Sequence, residues 1–118
     1  MFEKMIEISM LYDFYGQLLT AKQQELLKLY HEDNYSLSEI AEEYGISRQG
    51  VHDTVKKAEK ALHEYESKLG LISKFTTTEE AVAAIDSEID LLMLENRQNN
   101  QLTERLKQIK SIIDKINI

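Results

Sequence analysis

The side chains best suited to chemistry lie between positions 48 and 60: Arg48, Gln49, His52, Asp53, Lys56, Lys57 and Lys60. On a helix they point outward, while Val51, Val55 and Ala58 form the opposite, apolar stripe. Arginine pairs with guanine O6 and N7, glutamine with adenine N6 and N7, and lysine meets phosphate oxygens. Arg48 and Gln49 stand in the first turn, the part of a recognition helix that reaches base edges. The candidate nucleic-acid contacts are therefore Arg48, Gln49, His52, Lys56, Lys57 and Lys60. Residues 47–60 hold four basic side chains against Asp53 and Glu59, a local charge of +2.

The chain as a whole is acidic, with a net charge of −7 from 21 acids and 14 basic residues, which argues against loose electrostatic binding to nucleic acid. Glu39, Glu42 and Glu43 lead into the basic face. Asp53 interrupts it and repels phosphate unless it accepts from a cytosine amine. Gly50 sits in the same first turn, where glycine costs about 1 kcal/mol against alanine; it is read as a close helix-packing position or, alternatively, as one that admits a partner backbone. So few basic contacts bind weakly in a monomer, so useful DNA affinity calls for two copies. No catalytic set accompanies the face: His31, His52 and His63 lie 21 and 11 residues apart, and neither a glycine-rich phosphate loop nor a cysteine is present. No enzyme activity, catalytic residue, cofactor or metal is expected.

Capping signals mark the elements that must hold this face. "TAKQ" at 20–23, "SLSE" at 36–39 and "TTEE" at 77–80 have the form of capping boxes, and Gly16, Gly45 and Gly70 stand where helices should end. Five helices are predicted, at about 2–15, 20–32, 36–44, 47–68 and 77–116. No segment alternates with a period of two, so the fold class is all-α: a compact helical bundle with a helix-turn-helix, followed by a long C-terminal helix. The expected core takes Leu26, Leu27 and Tyr30 from the second helix and Leu37, Ile40, Ala41 and Tyr44 from the third. Val51, Val55, Ala58, Leu62 and Tyr65 come from the fourth, and Ile46 plugs the turn. Phe2, Met5, Ile6, Tyr12 and Tyr15 let the first helix cap the bundle.

Composition changes after "GLISKF" at 70–75, which divides the chain into a helix-turn-helix domain, 1–75, and a C-terminal helical segment, 76–118. Beyond this point, Ile85, Ile89, Leu92, Asn96, Asn99, Leu102, Leu106, Ile109, Ile113 and Ile116 step by 4-3-4-3-3-4-3-4-3. That is a heptad seam with one three-residue stammer. A single helix would expose it, so a partner is expected: homodimerisation, with the two asparagines fixing register, or packing back on residues 1–75. The start of the chain lacks a basic region followed by an apolar run, and the longest apolar stretch is "LLML". No membrane insertion and a cytoplasmic location are expected.

Residues 35–62, "YSLSEIAEEYGISRQGVHDTVKKAEKAL", have every mechanical part of a helix-turn-helix: capped short helix, small residue at the crossing, glycine turn, apolar plug and second cap. The longer stretch 11–71, above all "LYDFYGQLLTAKQ" and "ISRQGVHD", resembles the YlxM family of small bacterial helix-turn-helix proteins. The motif is also similar to the fourth conserved region of primary sigma factors, which reads the promoter −35 element. The first resemblance implies a regulatory role in the signal recognition particle (SRP) pathway. The second places Arg48, Gln49, His52 and Lys56 toward bases or phosphates. The expected function is thus a DNA-binding regulator; the alternative is a protein-interaction factor that binds the SRP GTPase or SRP RNA without reading DNA sequence.

Overall fold

The computed structural model describes residues 2–116, apart from the side chain of Phe2. Over these residues the chain forms helices and no strand: α1 (Phe2–Tyr15), α2 (Ala21–His31), α3 (Leu37–Tyr44), α4 (Arg48–Leu69), α5 (Leu71–Glu95) and α6 (Asn100–Ile116), with a single 3-10 turn at Gly16–Leu18. The chain divides into two compact units, Met1–Ile72 and Ser73–Ile118.

In the first unit, α1, α2 and α3 all pack on α4. The stripe Val51, Val55, Ala58 and Leu62 is buried, and Leu26, Leu27, Ile40 and Ala41 close over it. Leu37, Tyr44, Ile46 and Tyr65 are half-buried at the margin of this core. Tyr30 differs from expectation: it lies in the last turn of α2 and is 37% exposed.

The face that α1 buries also differs. Ile8, Leu11 and Tyr15 are in the core, while Met5 and Ile6 are exposed; the side chain of Phe2 lies outside the described residues. Because α1 is apolar on nearly every side, its sequence periodicity does not select one face. Its rotation is set at Tyr15, whose buried hydroxyl donates to Glu66 and accepts from the Leu71 amide.

Two capping boxes form as read. The Thr20 hydroxyl accepts from the Gln23 amide at 3.2 Å and Gln23 Oε1 accepts from the Thr20 amide at 3.1 Å. Ser36 and Glu39 exchange the same bonds at 3.0 and 3.1 Å. The third, at 77–80, is not a helix start: α5 already begins at Leu71. Left-handed Gly70 closes α4, and the first amides of α5 find the Tyr15 hydroxyl and the Glu66 carboxylate instead of a capping side chain. Gly16 does follow the end of α1 but is not left-handed; a Cβ there would meet the Tyr12 ring at 3.0 Å.

The second unit corrects the single helix over 77–116. The chain breaks at residues 96–99 and α6 folds back along α5 as a hairpin, with Ile89, Leu106 and Ile113 buried and Val82, Met93 and Leu102 half-buried around them. Asn96 and Asn99 are therefore turn residues, not register-setting positions on a helical seam. Asn96 Nδ2 donates to its own helix at Leu92 O, and Asn99 Oδ1 caps α6 by accepting from the Leu102 amide at 3.1 Å. Asparagine side chains compete for backbone groups in this way, so the stammer is where the helix yields. Folding back also buries part of the seam within one chain through a short loop, at small entropic cost. Lys110 on α6 clasps Asp90 and Asp86 on α5. The rest of the seam, Ile85, Leu92, Ile109 and Ile116, stays exposed.

Candidate nucleic-acid interface

The turn between α3 and α4 is built by three consecutive residues with separate tasks. Gly45 adopts the left-handed conformation (φ 65°, ψ 32°) and its amide bonds Ala41 O. Ile46 donates its amide to Ala41 O at 3.1 Å and lodges its side chain against the core. Ser47 is extended and its hydroxyl accepts from the Gly50 amide at 2.9 Å, capping α4. Ala41 at the crossing is buried, which lets α3 approach α4 closely.

This turn presents Arg48, Gln49, His52, Asp53, Lys56, Lys57 and Lys60 on the exposed side of α4, as the spacing predicts. Among the described residues, no carboxylate pairs with Arg48, Lys57 or Lys60. Gln49 and Asp53 are joined: Gln49 Nε2 donates to Asp53 Oδ1 at 2.9 Å. His52 Nδ1 lies 3.7 Å from the same carboxylate oxygen. Asp53 is thus engaged by its own helix, and the Gln49 amide retains its oxygen and a second N–H for a base edge. Gly50 does not pack against another helix of this chain; a Cβ there would stand 3.1 Å from Ser47 Oγ, so its smallness protects the cap.

Two of the acids near the face are less opposed to it than the sequence implied, while Glu42 and Glu43 stay exposed on α3. Glu39 turns back to its capping box, where the Ser36 amide and hydroxyl hold its carboxyl below the ordinary glutamate range. Glu59 points inward and is buried, 2.8 Å from His31 Nε2 and 3.4 Å from Lys56 Nζ. Residues 47–60 keep a net charge of +2, with Glu59 set against Lys56 while Arg48, Lys57 and Lys60 face Asp53 alone. The buried Glu59 and its tie to α2 were missed in the sequence. Its spacing to Val55 and Leu62, four and three residues, places it on the flank of the buried stripe and was the available signal.

A protein-family model described as "Putative helix-turn-helix protein, YlxM / p13 like" matches residues 2–117. The chain belongs to this family, UPF0122. UPF0122 proteins of Desulforamulus reducens (41% identity, 93% of this chain and 90% of the relative), Listeria welshimeri (39%, 95% and 99%) and Bacillus thuringiensis (40%, 98% and 99%) are similar to it along nearly their full length. The family match takes in the hairpin as well as the helix-turn-helix, so the UPF0122 likeness extends well beyond residues 11–71. UPF0122 is described as a helix-turn-helix family, not as an enzyme family. Among the described residues, no helix is long and apolar enough to cross a membrane.

Proposed function

We propose that this UPF0122 chain is a cytoplasmic, non-enzymatic DNA-binding regulator that places α4 in the major groove. The observation that carries this reading is the capped first turn of α4, which holds Arg48 and Gln49 outward on a rigid element with Lys56, Lys57 and Lys60 behind them. Arg48 and Gln49 approach base edges, while the lysines meet phosphates. Two copies act together through the hairpin. A pair of helices with so small a buried core is marginal alone, and it exposes Ile85, Leu92, Ile109 and Ile116. In residues 73–95 six acids oppose Lys74, whereas α6 has four basic residues against Glu104 and Asp114. A two-fold pairing that sets α5 of one copy on α6 of the other therefore complements charge. The resemblance to YlxM adds the SRP pathway as the setting.

The acidic balance of the chain favours a second reading, in which the fold docks on the SRP GTPase or SRP RNA and does not read DNA. One titration separates them: duplex DNA and the SRP RNA–GTPase complex, each against the protein at several salt concentrations. Three phosphate contacts per copy, from Lys56, Lys57 and Lys60, predict a slope of log affinity on log salt of about −2.7, and about −5.4 for a dimer. Lys56→Ala should flatten it by about 0.9 per copy, and Arg48→Ala should weaken binding and relax base preference. Binding to the SRP complex with no DNA binding at low salt refutes the reader.

A further inference from the structure

Behind the outward face of α4 lies a cavity of about 440 Å3, lined in part by His52 and Lys56 of that face. It is a half-open groove between α1, the end of α2, the α2–α3 connection and α4, and its volume is in the range of small-molecule sites. Its polar groups converge from separate elements. Lys4 comes from α1, His31 from α2, and His52 and Lys56 from α4, with the buried Glu59 carboxylate between His31 and Lys56. Lys4 and Lys56 both face this cavity, one from each side of it. Two lysines and one carboxylate leave this cavity with one positive charge in surplus, which favours an anion bound within it. Tyr30 and Tyr35 stand in the wall, both more than a third exposed, next to Asn34, which holds the connection in the left-handed conformation (φ 56°). Tyrosine faces accept flat rings by stacking.

We propose that this cavity binds a nucleoside phosphate, its phosphate between Lys4 and Lys56 and its base against the tyrosines. Lys56 belongs to both the cavity and the outward face of α4, so the ligand takes a lysine that the DNA-binding reading assigns to phosphate. This consequence rests on that reading; the site itself does not.

The test is calorimetric titration of the full-length protein with AMP, GMP, CMP, UMP and inorganic phosphate. At least one nucleotide should bind more tightly than inorganic phosphate. Lys4→Ala should weaken it about tenfold or more, the loss expected from one charge-assisted hydrogen bond. Tyr35→Ala should weaken the nucleotide and leave phosphate unchanged. Circular dichroism checks that both variants fold; each changes an exposed side chain. Absence of nucleotide binding at millimolar concentration overturns the proposal. So does equal affinity for nucleotide and phosphate, or binding that survives Lys4→Ala but is lost on Lys57→Ala with Lys60→Ala. Because Lys4 and Tyr35 are not among the proposed DNA contacts, a failed nucleotide titration leaves the DNA titration to stand or fall by itself.

Discussion

Replacing Gly45 by alanine isolates the backbone requirement of the helix-turn-helix turn. Gly45 has φ 65°, and nothing lies within 4 Å of the point where a Cβ would stand. No clash therefore contributes, and the cost is conformational. The left-handed region costs an L-residue roughly 1–2 kcal/mol, and alanine recovers about 0.4–1 kcal/mol by restricting the unfolded chain. The expected net loss is about 1 kcal/mol, roughly a fivefold shift in the folding equilibrium. Asparagine tolerates this conformation better, so Gly45→Asn should cost about half as much. All six tyrosines lie between residues 12 and 65 and the chain has no tryptophan. Urea unfolding followed by tyrosine fluorescence consequently reports the first unit alone, while circular dichroism reports both. A neutral or stabilising Gly45→Ala would refute the reasoning, as would an asparagine variant no better than alanine.

Three further measurements follow from the cores and the titrating groups. Leu62 is 0% exposed in the first unit, so Leu62→Ala should lose about 2–5 kcal/mol by tyrosine fluorescence; Leu106→Ala should instead lower helical signal with the tyrosine transition unmoved. Glu39 has a lowered pKa through its bonds from Ser36, so its contribution is complete above the ordinary glutamate value and is lost as pH falls through the lowered one. Ser36→Ala should remove that part of the acid sensitivity. Tyr15 has a raised pKa, from burial and then its bond to Glu66, so its contribution is complete below the ordinary tyrosine value and is lost as pH rises through the raised one. A spectrophotometric titration should show Tyr15 ionising late, together with unfolding; early ionisation of every tyrosine would contradict the buried anchor.

Much of the helix-turn-helix was legible because its signals are local. Gly45, Ile46, Ser47 and the stripe from Val51 to Leu62 each act within a turn or two of their own position, and spacing alone places them. The same holds for the outward placement of Arg48, Gln49, His52 and the lysines. The pairing of Gln49 with Asp53, four residues apart on one helix, was within reach of the same reasoning. Signals that depend on a distant partner misled. "TTEE" is a sound capping box, yet the Tyr15 hydroxyl and Glu66 start α5 six residues earlier. The heptad seam is equally real, but a regular period does not say whether it is covered by another chain or by the same one folded back.

By itself the sequence determined an all-helical chain, the helix-turn-helix, the exposure of its basic face and the presence of a surplus apolar seam. Tertiary structure decided which face α1 buries, that residues 96–99 turn the tail into a hairpin, and that Glu59 points inward to join His31 and Lys56. It also set Lys4 on α1 and Lys56 on α4, 52 positions away in the chain, around one cavity. The division has one physical origin. Periodicity and capping record the energetics of neighbours three or four residues apart, whereas a hydroxyl, an imidazole or an amine delivered by another helix leaves no periodic mark in the segment it stabilises.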